Sequence, residues 1–331
     1  MNMFGPTVRD FSKSQEGRES LQALFNYDAI PSPNLTRISN DTACDKNVLG
    51  RAVEYLLQLL IERQNQKFEL GFPLKRHFGN SRTKEAKEIK NYFASGELTD
   101  SLLDCLISLG KKRQEAFQRD RSKSQKNDKD GLKTELRRIH QLGSILKWNI
   151  KDSFYQGWLT DGRVVTAQAD LIIDTSLLEV KTVEDARKHD EHLSQLFCYF
   201  LLSQAPMRKL GAFKIDELGI YYARHGVLVK QNIPALVQFP LSHVTKIAFD
   251  FAVKFSQWRT RKELQREDNN YAMWEVVKEL NPRPAWVTKI VEKHNRKFVP
   301  ETFFTRKPIQ IPKINLPKNF LLENSHPNAG L

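Results

Sequence analysis

The chain has 331 residues, 40% of them hydrophobic, enough for one large domain with insertions or for two modest ones. It contains no run of about 18 uncharged apolar residues, and its start, MNMFGPTVRDFSKSQEGRES, lacks the basic and apolar regions of a secretion signal, so a cytoplasmic protein without membrane attachment is expected. A formal net charge of +13 and a pI near 9.5 make a polyanion the first partner to consider.

Residues 1–46 are polar and turn-rich, with IPSPN at 30–34, and read as an extension with little structure of its own. A strong helix follows, capped by Asp45 or Asn47. Val48, Leu49, Ala52, Val53, Leu56, Leu57, Leu59 and Leu60 give it the wide apolar stripe of a core helix, which should end near Gln64. From there to residue 146 the patterns stay helical, including TKEAKEIKNYF and ELTDSLLDCLISLG, and this block reads as a helical insertion. It is interrupted by a charged segment, Lys111 to Arg138, with eleven Lys or Arg against five Asp or Glu. A solvated loop and a mobile arm that follows a phosphate backbone both fit that composition. Lys111, Lys112 and Arg113, at its start, are the candidate DNA-binding residues.

After Trp148 the pattern changes. DSFYQGWLTDGRVVTAQADLIIDTSLLEVKTV reads as three successive strands turning at Asp161-Gly162 and Thr175-Ser176. HDEHLSQLFCYFLLSQA at 189–205 has helical spacing, and ELGIYYARHGVLVKQNI at 217–233 reads as two strands turning at His225-Gly226. Beyond Pro240 a helix over about 242–266 precedes a shorter one containing AMWEVVKEL. A proline-punctuated tail closes the chain from Pro300. The order of core elements is therefore αβββαβ.

Asp170 opens the apolar stretch LIID, and Glu179-Val180-Lys181 lies on the next strand. Strand alternation puts Glu179 and Lys181 on one face, and a tight turn folds them back toward Asp170. Two carboxylates so placed form a hard oxygen site suited to Mg²⁺, which needs only one or two protein carboxylates. A lysine beside them can orient a metal-activated water or stabilise charge on phosphoryl oxygens. An acid two residues before a lysine is in itself a cheap pattern. Glu85-Ala-Lys87 and Glu88-Ile-Lys90 repeat it in a polar helical stretch, where it gives only solvated side chains. Glu179-Val180-Lys181 alone sits within an apolar strand, where charges persist mainly as an ion pair or as metal ligands. Gln195 and Tyr199, four apart, share a helical face and could meet substrate or the lysine together, while core packing is the competing role for Tyr199. Asp174, near the turn, is expected to satisfy backbone amides there. His189 and His192 lack partners for a zinc set and read as surface residues. Cys44, Cys105 and Cys198 are scattered and read as ordinary thiols.

The stretch Ala169 to Asp174, followed by Leu177 to Thr182, resembles the signature of the PD-(D/E)xK nuclease superfamily, with Ala169 where the proline would stand. Gln195 and Tyr199 match the Q-x-x-x-Y pattern of its RecB-like exonuclease branch. Gly50-x-x-x-Glu54 lies on the leading helix, where related nucleases carry a third metal-site acid or a histidine. The resemblance implies an α/β fold with a restriction-endonuclease-like αβββαβ core, its mixed sheet flanked by helices. That core would cover residues 47–235, interrupted by the insertion at 65–146, with helices over 236–299 and the tail over 300–331. It further implies a Mg²⁺- or Mn²⁺-dependent deoxyribonuclease with Asp170, Glu179 and Glu54 as metal ligands, Lys181 positioning the water, and Gln195 and Tyr199 aligning substrate. Recombination and repair, mobile elements and phage defence are the processes such nucleases serve. Three dispersed cysteines argue against the four-cysteine iron-sulfur cluster of some RecB-like members. With no phosphate-binding GxxxxGK[ST] loop, any unwinding would come from a separate helicase or ATPase subunit. A non-catalytic nucleic-acid-binding scaffold is the alternative.

Overall fold

The computed structural model describes residues 7–38, 45–65, 84–117, 129–151, 154–158, 168–205 and 214–279. Thr7 starts the described chain with a capping box: its hydroxyl accepts from the Asp10 amide, and the Asp10 carboxylate takes the Thr7 amide. The helix so fixed, α1 (Val8–Lys13), meets α2 (Gln15–Gln22) at Ser14, which caps the second helix from the end of the first. Of the region expected to lack structure, the described residues 7–38 are folded, because Phe11, Leu21, Phe25 and Ile30 give them a fully buried apolar face. Asp45 caps α3 (Lys46–Gln64) by accepting from the Asn47 and Val48 amides, and the helix ends where its apolar stripe does.

Among the described residues of the predicted insertion, three helices follow: α4 (Lys84–Ser95), α5 (Asp100–Phe117) and α6 (Lys129–Ile145). They share one core with α3, since Ile89, Leu103, Leu106, Leu132, Leu136 and Ile139 pack in the same cluster as Val53, Leu56 and Leu60. The basic segment is correspondingly not one loop. Its start, Lys111 to Arg113, is the last part of α5, and its end is most of α6.

The strands β1 (Phe154–Trp158), β2 (Gln168–Ile173), β3 (Ser176–Lys181), β4 (Glu217–Tyr222) and β5 (Val227–Asn232) form one mixed sheet in sequential order. All neighbours are antiparallel except β3 and β4, whose parallel pairing is bridged by α7 (His189–Gln204). The chain is α/β, a mixed sheet flanked by helices. The β2–β3 turn comes one residue earlier than expected, at Asp174-Thr175, and Asp174 takes φ +51, which an aspartate tolerates better than most residues. The Asp161-Gly162 turn lies outside the described residues. At the β4–β5 turn the predicted glycine, Gly226, supplies φ +66. Downstream, α8 (Ile233–Leu236) precedes α9 (Val244–Glu279), a single helix where two were expected; residues 280–331, including the proline-punctuated tail, lie outside the described residues.

Alternation along the strands sorts the core onto two faces. Ile172, Leu177, Leu218, Ile220 and Tyr222 pack against α1, α2, α7 and α9, whereas Leu171, Ile173, Leu178 and Tyr221 pack against α3 and its partner helices. The chain divides into two compact units, residues 1–266 and 267–331, and the site described next lies wholly within the first.

Candidate active site at the β2–β3 hairpin

The register of the β2–β3 hairpin, Leu171 opposite Leu178, continues by one step to set Asp170 opposite Glu179. Asp170 Oδ2 accepts the Val180 amide at 2.8 Å, which holds its carboxylate against β3. Glu179 is almost wholly buried, at 2% exposure. Its Oε1 accepts from Lys181 Nζ at 2.5 Å, and its Oε2 is buried without a hydrogen-bond partner. Burial and the Glu179 carboxylate push the Asp170 carboxyl up to about 7, against the pull of Lys181, the Val180 amide and Arg51.

Glu179 and Lys181 share the parity of Leu177, so they point to the face covered by α7. There Lys181 Nζ donates also to Gln195 Oε1 at 3.1 Å, and Gln195 Nε2 donates to Tyr199 Oη at 2.9 Å. The result is a continuous chain of side chains, Glu179–Lys181–Gln195–Tyr199, across strand and helix. The Tyr199 phenol is held well above its ordinary range by burial, then by Glu179 and Asp170. His192, three residues before Gln195 on α7, belongs to the same surroundings: its imidazole is pulled down to about 3 by burial, with Lys181 and His189 adding to the effect. Its Nδ1 is buried without a hydrogen-bond partner.

Both histidines read as surface residues are therefore buried. His189 is satisfied by Tyr222 Oη at 2.6 Å and by the Ile30 carbonyl at 2.8 Å, so the N-terminal segment and β4 enclose it. Asp174 receives the Lys151 amide at 3.0 Å, a backbone partner from before β1. Cys198 is buried and Cys105 partly buried; Cys44 lies outside the described residues.

From the opposite face of the sheet α3 reaches the same place. A side chain at Gly50 would meet the hydroxyl of Thr182, just past the end of β3, at 3.4 Å. Arg51, the next residue, has Glu54, Asp170 and Tyr199 as electrostatic neighbours. Its Nη1 donates to Glu54 Oε1 at 2.8 Å, so the carboxylate expected at the metal is engaged by an arginine. Sequence reading missed Arg51 and the burial of His192, although the i, i+3 spacing of Arg51 with Glu54 and of His192 with Gln195 would have paired them on helix faces. At Gly110 on α5 a side chain would meet the Val48 carbonyl of α3 at 2.8 Å, so only glycine permits this close crossing. Lys111 and Lys112 follow at once, which starts the basic run beside the turn of α3 that carries Arg51.

The donor set fits a hard divalent cation. Two carboxylates face each other, and one buried carboxylate oxygen has no hydrogen-bond partner, which matches the demand of such an ion for oxygen ligands. Among the described residues no group of three or more His, Cys, Asp or Glu is placed to hold a metal; an octahedral ion that keeps several waters needs fewer. No protein-family model, curated protein or solved structure matches the chain.

Proposed function

We propose that the chain is a divalent-metal-dependent deoxyribonuclease with a restriction-endonuclease-like core of the PD-(D/E)xK kind. One observation carries the reading: Asp170 and Glu179 meet across the hairpin beside Lys181, with a buried Glu179 oxygen lacking any hydrogen-bond partner. A buried carboxylate oxygen left in that state costs about 1–3 kcal/mol, which a bound cation would recover. Asp170 and Glu179 would hold Mg²⁺ or Mn²⁺. Bound there, the ion supplies Lewis-acid polarisation of the phosphodiester and a more acidic water.

The remaining roles belong to the chain. Lys181 Nζ, fixed by Glu179 on its own strand and by Gln195 on α7, is placed to orient the nucleophilic water and to neutralise charge building on the phosphoryl oxygens. Gln195 holds the lysine and is itself held by Tyr199, and the pair would align the substrate. The net charge of +13 supplies the attraction to a polyanion.

The test is cleavage of labelled single-stranded, duplex and circular DNA with Mg²⁺, with Mn²⁺ or with chelator, comparing wild type with Lys181→Ala. Metal-dependent products that vanish in the variant are expected, and the circular substrate tells whether a free end is required. Cleavage that persists unchanged in Lys181→Ala or Asp170→Ala would overturn the assignment. Tight DNA binding by folded wild-type protein with no cleavage would favour a non-catalytic scaffold.

A further inference from the structure

One charged side chain in the site is accounted for neither by the metal pair nor by the Lys181 relay. Arg51 projects from α3 at the end of β3, with Asp170 and Tyr199 among its electrostatic neighbours. Its side chain is 36% exposed, whereas that of Glu54, which it engages, is 10% exposed, so the arginine is the more accessible member of the pair. A guanidinium carries five donors in a planar fork, and the fork matches two oxygens of a phosphate. The phosphodiester to be cleaved is an anion with two non-bridging oxygens, and Asp170 and Glu179 alone would repel it. The helix spacing of three residues lets Glu54 hold Arg51 in one orientation.

We propose that Arg51 grips the scissile phosphate and that Glu54 is the positioning residue that aims it, not a third metal ligand. The assignment rests on the nuclease reading and revises one part of it. A Glu54 oxygen occupied by Arg51 is an oxygen withdrawn from the metal, so the metal requirement and the Arg51–Glu54 pair are separable.

The experiment uses the full chain and the variants Arg51→Ala, Arg51→Lys, Glu54→Gln, the Arg51→Ala/Glu54→Gln double and Glu179→Gln. Binding of Mn²⁺ is read by electron paramagnetic resonance without DNA, and single-turnover cleavage is read at saturating Mg²⁺. Glu54→Gln is expected to bind Mn²⁺ as wild type does, while Glu179→Gln weakens its affinity tenfold or more, on the order of what removing a group that supports the ion costs. Arg51→Ala should slow cleavage roughly 100- to 1,000-fold, as removal of a donor aimed at developing charge does. Glu54→Gln should slow it roughly 10- to 100-fold. Arg51→Lys, which keeps the charge without the fork, should fall between wild type and Arg51→Ala. The double variant should be no slower than Arg51→Ala, because the two residues act as one unit.

Weakened Mn²⁺ binding in Glu54→Gln would restore Glu54 to the metal and overturn the proposal, as would multiplying losses in the double variant or full activity in Arg51→Ala. A wild-type chain that neither binds Mn²⁺ nor cleaves DNA would instead remove the nuclease reading, and this assignment with it.

Discussion

Among the described residues Gln195 is the one side chain of α7 bonded to Lys181, and its own amide nitrogen is committed to Tyr199. Replacing it with leucine leaves the ammonium held from one side. Gln195→Leu should lower metal-dependent cleavage roughly 10- to 100-fold with Mn²⁺ affinity unchanged; wild-type turnover in that variant would reduce the relay to packing. Glu62 lends itself to a different measurement. It is 1% exposed, Gln58 Nε2 donates to it at 3.0 Å, and burial raises its carboxyl from 4.5 to about 7. An acid raised on folding destabilises the fold wherever the unfolded chain ionises first. Stability should therefore fall as pH climbs from about 4.5 to about 7, by roughly 3 kcal/mol, and stay level above. Urea unfolding at pH 5 and pH 8 should show a loss smaller by about that much in Glu62→Gln than in wild type, the rest coming from Asp170, which is raised over the same window; equal losses in the two proteins would mean that Glu62 does not contribute. At this scale the sequence disclosed Asp170, Glu179 and Lys181, because charges inside an apolar strand stand out against their surroundings. It did not disclose Arg51 or His192, since a charged or imidazole side chain on a helix is most often solvated and only the arrangement of α3 and α7 around β3 shows otherwise.

Short helices are decided by what they pack against more than by their own propensity. The pair α1 and α2 has six and eight residues, too few for a convincing helical period, yet Phe11 sits against Phe251, Phe255 and Trp258 with ring centroids 5.1–5.6 Å apart. Phe11→Ala should cost about 3–5 kcal/mol, read as a lower urea midpoint. A change under about 1 kcal/mol, a size typical of exposed positions, would mean that the N-terminal helices are docked only loosely. Longer elements were legible: α3 from its stripe and Asp45 cap, β2 and β3 from apolar runs, α7 from its length. The join of α9 was not, because residues near its middle, such as Asp268, Asn269 and Asn270, are weak helix formers that suggest a break.

For the molecule as a whole, the segment read as an insertion, residues 65–146, takes part in the packing. Within its described part, helices α4 to α6 complete the core of α3, and α6 also anchors the β4–β5 turn: Arg224, 2% exposed, donates to Glu135 Oε1 at 2.7 and 2.9 Å, and Arg138 donates to the same carboxylate. Hydrophobic periodicity within each helix showed that they exist, but which helix covers which sheet face depends on long-range pairing that no local window contains. Charge works at this scale too. Neutralising Lys111, Lys112 and Arg113 together should weaken DNA binding and flatten its dependence on salt by up to about three in the log–log slope, one for each phosphate that the protein no longer neutralises. Titration of a fluorescent duplex at several salt concentrations measures that slope, and an unaltered value would take these residues out of the binding surface.

The partnerless oxygen of Glu179 also bears on how stability would be inherited by the loaded protein. A cation that recognises the paired carboxylates exists as a ligand only for the folded chain, since Asp170 and Glu179 meet through the hairpin register. By mass action such a metal would stabilise the fold as well as serve the proposed chemistry: at about a hundred times its dissociation constant it would deepen the native state by about 2.7 kcal/mol. Chelation would shift the melting curve downward, and Glu179→Gln would make the curve indifferent to the chelator.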